Sequence, residues 1–151
     1  MDKNEIIQIL QDWNFWDKAP DTGIPRESYV NRLTSYLETG QVVVITGPRR
    51  SGKSYLMRQL VQELVRSGQD RRATLFVNLE DPRLPPVDAE TLDSLFETYR
   101  EFLTPKQPPV VFLDEVQEVS GWEKWVRMMH ELQKAKIVVS GSNAHLLSKE
   151  L

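Results

Sequence analysis

The chain has 151 residues, of which 40% are hydrophobic and 27% charged, an ordinary composition for one globular domain. The formal net charge of −3 does not indicate a strongly basic surface, so we expect no nucleic-acid partner for this segment. The absence of cysteine excludes a disulfide framework, a thiolate zinc site and a cysteine nucleophile. The longest apolar runs, such as residues 42–45, are far shorter than the about 20 residues that cross a bilayer, and residues 1–10 do not resemble a signal peptide. We therefore expect a cytoplasmic protein without a membrane partner.

The first part of the chain is predicted to be helical. Apolar residues between 4 and 17 recur at helical spacing, and a second amphipathic pattern covers residues 26–38. A loop with two prolines and a glycine, residues 19–25, separates the two patterns. We divide the chain into an N-terminal helical segment, residues 1–40, and a core, residues 41–151. The N-terminal segment is expected to be either a separate subdomain or a brace.

From residue 41 onward, short β-branched runs alternate with helical patterns. The predicted strands are residues 41–46, 73–79, 110–113 and 136–140. The predicted helices are residues 54–66, 91–103, 122–132 and a last helix that begins at 143. This alternation predicts an α/β fold with a mainly parallel sheet and helices on both of its faces, in three layers.

Residues 47–54, GPRRSGKS, match the pattern G-x-x-x-x-G-K-[ST] between the first predicted strand and its helix. Glycine allows a close approach of the backbone to phosphate oxygens, and the helix directs the positive end of its dipole at them. Lys53 would contact the β- and γ-phosphates, and the hydroxyl of Ser54 would bind Mg²⁺. We therefore expect ATP and Mg²⁺ as cofactors. The predicted nucleotide-binding residues are Gly47, Pro48, Arg49, Arg50, Ser51, Gly52, Lys53, Ser54 and Tyr55.

Two adjacent carboxylates, Asp114 and Glu115, follow the buried strand 110–113. A buried strand seldom ends in charge without a partner for it. Asp114 would hold Mg²⁺, and Glu115 would orient the attacking water or accept its proton. An acidic turn after a strand is common, so the pair becomes informative only together with the phosphate loop. The glutamate favours hydrolysis of ATP over phosphoryl transfer, because transfer to another acceptor needs no base for water.

Ser142 and Asn143 follow the last predicted strand. If this strand lies between the first and third strands, one of the two side chains reaches the γ-phosphate and the attacking water. Both are therefore candidate catalytic residues, together with Lys53 and Glu115. The alternative is a plain turn in which one of them caps the last helix.

Weaker signals come from residues near the ends of other elements. Asn78 ends the second predicted strand and could hydrogen-bond Glu115, although Asn is also common in turns. Ile24, Arg26 and Tyr29 precede the first strand and could line an adenine pocket or simply pack.

Three segments, GPRRSGKS, VVFLDEVQEVSGWEKWVR and IVVSGSNAHLLSKEL, together resemble the bacterial and archaeal predicted ATPases of the AAA+ superfamily over about residues 24–151. The D-E-x-Q followed by G-W-E, and the S-G-S-N turn, are more specific than the phosphate loop alone. The roles that the resemblance implies are Walker A for Lys53 and Ser54, Walker B for Asp114 and Glu115, and sensor 1 for Asn143 or Ser142 beside it.

The superfamily has the strand order 5-1-4-3-2, which implies that the sensor strand lies between the two Walker strands. Four of these five strands are found here, so we expect an N-terminal fragment of the ATPase domain in which the fifth strand is missing and the first strand is an unprotected edge. The resemblance implies Mg-ATP hydrolysis coupled to a conformational change, with possible self-association or a protein partner. The alternative is a non-hydrolysing ATP-dependent switch or scaffold.

Overall fold

The computed structural model describes residues 1–142. Within that range the helices are α1 Lys3–Gln11, α2 Glu27–Glu38, α3 Lys53–Arg66, α4 Ala89–Leu103 and α5 Trp122–Glu131. The strands are β1 Val43–Thr46, β2 Thr74–Asn78, β3 Val110–Asp114 and β4 Lys136–Gly141. Two short 3₁₀ turns, Arg71–Ala73 and Val116–Glu118, precede β2 and follow β3. The predicted α/β fold class is confirmed.

The four strands form one parallel sheet in the order β1-β4-β3-β2. Val138 of β4 pairs with Val43 of β1 on one side and with Phe112 of β3 on the other. β4, the strand before the two sensor candidates, therefore lies between β1, which precedes the phosphate loop, and β3, at whose end the paired carboxylates lie, as the resemblance implies. Because all strands run in the same direction, the segments that follow β1, β3 and β4 meet at one edge of the sheet.

Alternate side chains of the strands enter two hydrophobic clusters, one on each face of the sheet, as the period of two requires. On one face, Val111 and Leu113 of β3 pack with side chains of α4 and α5. On the other face, Val110 and Phe112 pack with side chains of α2 and α3. The strands are thus buried on both faces, which is typical of a parallel sheet between two helical layers.

The N-terminal segment contributes to both clusters. Leu10 and Trp16 lie in the cluster of α4 and α5, whereas Phe15, Leu33 and Leu37 lie in the cluster of α2 and α3. This sharing of the two cores is the packing expected of a brace. The division of the chain at residue 40 into separate domains stays a prediction.

α1 ends at Gln11, six residues before the predicted end of the first helix at residue 17. The reason is tertiary, because the residues after it bind the free edge of β2. The Asn14 amide donates to Phe76 O at 2.9 Å and accepts from Phe76 N at 2.6 Å, and Trp16 Nε1 donates to Thr74 O at 2.7 Å. These bonds require a turn where the apolar spacing predicted further helix.

Candidate functional site

The phosphate loop connects β1 to α3 and opens onto a cleft of about 670 Å³. The cleft is lined by residues 49–55 together with Glu80 and Glu115. Gly52 has a φ of 90°, and a Cβ at this position would lie 3.1 Å from an Arg26 guanidinium nitrogen, so the loop needs glycine there. Arg50 adopts a φ of 63°, a backbone conformation that residues other than glycine avoid unless the surroundings impose it.

Lys53, the first residue of α3, is buried in this cleft with only 6% of its surface exposed. Its Nζ donates to Pro48 O at 2.9 Å within the loop and to Ser142 Oγ at 3.4 Å. The same Nζ lies 3.6 Å from Glu115 Oε1. The Lys53 ammonium group therefore faces the carboxylate of Glu115, which follows β3.

Asp114, the last residue of β3, is buried and has a hydroxyl donor on each carboxylate oxygen. Ser54 Oγ donates to Oδ2 at 2.6 Å, and Ser140 Oγ of β4 donates to Oδ1 at 2.6 Å. Ser140 Oγ also accepts from the Glu115 N–H at 3.0 Å, so this hydroxyl acts as both a donor and an acceptor.

These oxygens fit the requirements of Mg²⁺ bound together with a nucleotide. The ion prefers hard oxygen ligands and is usually held by one or two carboxylates plus substrate phosphates and water. Ser54 and Asp114 supply a hydroxyl and a carboxylate oxygen directly beside the phosphate loop. In residues 1–142 there is no group of three or more His, Cys, Asp or Glu side chains that could hold a metal ion. Phosphate oxygens and water would be among the further ligands of such an ion.

Glu115 has a left-handed backbone conformation, and its carboxylate has several hydrogen-bond partners. Its φ of 60° and ψ of 56° are left-handed, and its side chain is buried. Ser142 Oγ lies 2.6 and 2.8 Å from the two carboxylate oxygens, and Gln117 Nε2 donates to Oε2 at 2.7 Å. Burial by itself raises the pKa of Glu115, but the hydrogen bonds from Gln117 and Ser142 and the charges of Lys53 and Arg49 outweigh it and lower the pKa.

Arg49 connects the phosphate loop to two neighbouring turns. Its guanidinium lies 2.5 Å from Glu80, which follows β2, and 3.9 Å from Glu118, which follows β3. The hydrogen bond to Glu80 is the main reason that the pKa of Arg49 is raised. Because the Arg49 side chain is 59% exposed, these pairs contribute little to stability and mainly orient the loop.

The structure brings together the candidates that the motifs single out. Lys53, Ser54, Asp114, Glu115 and Ser142 lie in one hydrogen-bonded network at the carboxyl edge of the sheet. The contacts of the Ser142 hydroxyl with Glu115 and Lys53 favour a role in the site, whereas the alternative of a helix cap stays a prediction because the helix expected from residue 143 lies outside the described residues. Asn143, the other sensor candidate, lies outside the described residues.

Three members of the site were missed by the sequence reasoning. Ser140 lies in the predicted strand 136–140, and nothing local in the sequence marks its hydroxyl as a partner of Asp114. Glu80 was missed because its partner Arg49 is 31 positions away. Gln117 had a signal, since it is the last residue of the D-E-x-Q pattern, but no role was assigned to it.

Asn78 does not hold Glu115 in this structure. Its Oδ1 accepts from the Glu80 N–H at 3.0 Å, which is the turn role that Asn commonly has after a strand. Ser142 and Gln117 hold the carboxylate instead.

The segment before α2 is hydrogen-bonded to α3, the helix that follows the phosphate loop. Gln59 Nε2 donates to Thr22 O at 2.7 Å and to Ile24 O at 2.8 Å, and Gln59 Oε1 accepts from Arg26 N at 3.1 Å. Ile24 is 86% exposed, so a plain packing role is wrong for this residue. The Arg26 guanidinium lies 4.6 Å from the centre of the Tyr29 ring and forms a cation–π contact.

Comparison with known proteins agrees with this geometry. Residues 39–151 match a family model described as AAA domain. The chain belongs to this family. The match confirms the resemblance drawn from the three sequence segments and indicates that this AAA domain is a nucleotide-binding domain of the P-loop ATPase type.

Two curated relatives of this AAA domain are uncharacterized proteins. One, from Haemophilus influenzae, is 38% identical over 130 residues, which are 85% of this chain and 32% of the relative. The other, from Methanocaldococcus jannaschii, is 33% identical over 111 residues, which are 74% of this chain and 23% of the relative. The chain thus spans a third or less of the length of these relatives. None of the helices within residues 1–142 has the length and apolar character needed to cross a membrane.

Proposed function

We propose that this chain binds Mg-ATP and hydrolyses it, and that the nucleotide state is coupled to a conformational change. The observation that carries the proposal is the convergence of two pairs at one edge of the sheet. Ser54 Oγ is 2.6 Å from Asp114 Oδ2, and Lys53 Nζ is 3.6 Å from Glu115 Oε1. A cation, a hydroxyl and two carboxylates beside a glycine-containing loop are the groups that phosphoryl transfer from a nucleotide requires.

In this proposal the triphosphate occupies the cleft formed by residues 49–55. The backbone N–H groups of the loop and the N-terminus of α3 face the phosphate oxygens, and Lys53 leaves Pro48 O to contact the β- and γ-phosphates. Ser54 and Asp114 would hold Mg²⁺, which would neutralise part of the phosphate charge when it is bound. Catalysis is then mainly positioning and electrostatic stabilisation.

Glu115 is the proposed base. Its carboxylate orients the attacking water and accepts one proton while the water oxygen bonds to the γ-phosphorus and the bond to the β–γ bridging oxygen breaks. Ser142 supports this role, because its hydroxyl contacts the carboxylate and lies within 3.4 Å of Lys53 Nζ. In this proposal the Ser142 hydroxyl would contact Glu115 and also lie near the γ-phosphate that Lys53 binds.

A second candidate function is an ATP-dependent switch or scaffold that binds the nucleotide without turnover. It is favoured by the engagement of the Glu115 carboxylate with Ser142, Gln117 and Lys53 at the same time. If the chain is such a switch, these contacts hold the network in one state and do not present a base to water. Under this alternative, nucleotide binding would rearrange the network and the rearrangement itself would be the output.

The test is phosphate release from Mg-ATP over a series of protein concentrations, with Glu115→Gln alongside. Glu38→Gln, an exposed position at the end of α2, is the matched control for the change of charge. Thermal unfolding with and without Mg-ATP measures binding separately, since a ligand at about 100 times its Kd stabilises the folded state by about 2.7 kcal/mol.

If the chain hydrolyses ATP, we expect turnover in the native chain and in Glu38→Gln. In Glu115→Gln the rate of phosphate release should fall about 100-fold or more, while the thermal shift with Mg-ATP is retained. A rate per molecule that rises with protein concentration indicates self-association that completes the site. A thermal shift without turnover in any of the three proteins contradicts hydrolysis and supports the switch. If Mg-ATP causes no thermal shift, the result contradicts both functions.

A further inference from the structure

Gln117 occupies the short turn Val116–Glu118, immediately after the paired carboxylates. The left-handed backbone of Glu115 reverses the chain at this point, so the residue two positions later returns toward the Glu115 side chain. In an ordinary extended continuation of β3, residue 117 would lie about 6–7 Å further along the chain than Glu115, too far for this contact. The strained conformation at Glu115 is therefore what brings Gln117 into the site.

The contact between Gln117 and Glu115 is short and directional. Gln117 Nε2 donates to Glu115 Oε2 at 2.7 Å, a length typical of a hydrogen bond to an ionised acceptor. The amide must face the carboxylate through its nitrogen, because its oxygen would repel the charge. Ser142, the residue after β4, reaches the same carboxylate, and Lys53 faces Oε1 from α3. The carboxylate is thus held on several sides.

Packing alone does not account for glutamine at this position. Gln117 Oε1 is buried, and it has no hydrogen-bond donor among the described residues. A buried amide oxygen in this state is unfavourable, and an aliphatic side chain of similar length would avoid the cost. The amide nitrogen of Gln117, which donates to Glu115, is therefore the atom that explains a glutamine at this position.

We propose that Gln117 is a positioning residue for hydrolysis, whose amide N–H holds the Glu115 carboxylate in the orientation that meets the attacking water. The inference rests on the proposed function, since it assigns a role within the same site. Gln117 acts through Glu115, because it contacts this carboxylate but is not among the residues that line the cleft. Its loss is therefore expected to lower kcat while nucleotide affinity stays nearly constant.

The test compares Gln117→Met, which keeps the length and removes the donor, and Gln117→Glu, which keeps the shape and places a repelling carboxylate against Glu115. Gln8→Met, at an exposed position on α1, is the matched control. The readouts are kcat, the Kd for a non-hydrolysable Mg-ATP analogue, the Tm, and crystal structures of the native chain and the Gln117→Met variant.

We expect kcat to fall about 10- to 100-fold in both Gln117 variants, with Kd within about twofold and no change in Gln8→Met. In the crystal structure of Gln117→Met, the Glu115 carboxylate should leave its native position while Ser54 and Asp114 remain in contact. A fall in kcat that is matched by losses of affinity and Tm would show a structural role only and overturn the inference.

Two further outcomes also overturn it: a Glu115 carboxylate that keeps its position in Gln117→Met, or a displaced carboxylate with kcat unchanged. Absence of turnover in the native chain is a separate result that contradicts the proposed hydrolysis and is recognised without any variant. In that case the crystal structures still decide whether Gln117 positions Glu115.

Discussion

At the scale of single residues, the neighbouring carboxylates Asp114 and Glu115 have entirely different partners. Asp114 is held by two hydroxyls, from Ser54 and Ser140, whereas Glu115 is held by Ser142, by Gln117 and by the charge of Lys53. The left-handed backbone at Glu115 separates the two side chains. Under the proposed function, Asp114 would hold the metal and Glu115 would meet the water molecule, although the two residues are adjacent in the chain.

Ser140→Ala tests how much the buried hydroxyl contributes to the metal site. The change removes a donor from Asp114 Oδ1 and an acceptor from Glu115 N, and both groups are buried. We expect the Mg²⁺ concentration for half-maximal ATP-dependent activity or thermal shift to rise about 10- to 100-fold, because a hydrogen bond to a charged group contributes about 1.5–3 kcal/mol. The free energy of unfolding should fall by about 1–3 kcal/mol in urea titrations.

Ser140→Cys keeps the shape with a weaker donor and should give an intermediate result. Ser35→Ala, at an exposed position on α2, is the control for loss of a hydroxyl. An unchanged Mg²⁺ requirement in Ser140→Ala would show that Asp114 does not depend on this residue for its orientation.

At the scale of elements, the N-terminal segment protects an edge of the sheet. β2 pairs with β3 on one side only, and its other side presents backbone groups that could recruit another strand. Asn14 satisfies both the N–H and the C=O of Phe76, and Trp16 satisfies Thr74 O. The segment thus covers β2 with side-chain hydrogen bonds and without forming a strand itself.

Asn14→Leu is expected to destabilise the fold and expose this edge. Asn14 is 1% exposed, so its replacement leaves two buried backbone groups of Phe76 without partners, at a cost of about 1–3 kcal/mol each. Urea unfolding should show a loss of about 2–5 kcal/mol, and light scattering should show concentration-dependent aggregation. Asn31→Leu, exposed on α2, is the control. A stable, monomeric Asn14→Leu protein would contradict the bracing role.

At the scale of the whole molecule, one carboxylate links the N-terminal segment to the loop after β2. Asp81 accepts hydrogen bonds from Arg83 and from Trp13 Nε1, and Arg83 also pairs with Asp12 at 2.7 Å. The hydrogen bond from Arg83 is the largest of the effects that lower the pKa of Asp81 to about 2, from an ordinary value of 3.8. Folding therefore favours the ionised form of this group.

The pH dependence of global stability should show this linkage. Because the folded pKa of Asp81 lies below the unfolded value, its contribution is complete above about pH 3.8 and is lost as the pH falls toward about 2. Asp81→Asn should lower the free energy of unfolding by about 1–3 kcal/mol at pH 7, and the difference from the native chain should shrink at pH 3. Urea titrations at pH 7, 4.5 and 3 measure it.

Asp17→Asn removes the same charge at an exposed position and should change stability little at any of these pH values. A difference between Asp81→Asn and the native chain that stays constant from pH 7 to 3 would contradict the lowered pKa as its source.

Much of the fold could be predicted from the sequence because its signals are local. The short β-branched runs, the helical spacing between them and the glycines of the phosphate loop are properties of contiguous residues. They place Lys53 and Ser54 at the start of α3 and Asp114 at the end of β3. The course of residues 12–16 was predicted wrongly, because hydrogen bonds to the distant strand β2 override the local helical pattern there.

The sequence by itself determined the α/β alternation, the nucleotide loop and the family, all of which depend on residue types at fixed short spacing. Only the tertiary structure decided which side chains hold the two carboxylates. Ser54 and Asp114 are 60 positions apart, and Ser140 and Asp114 are 26 apart, so their contacts exist only because β4 lies between β1 and β3. The partner of a buried charge is set by sheet order and backbone conformation, which no local pattern encodes.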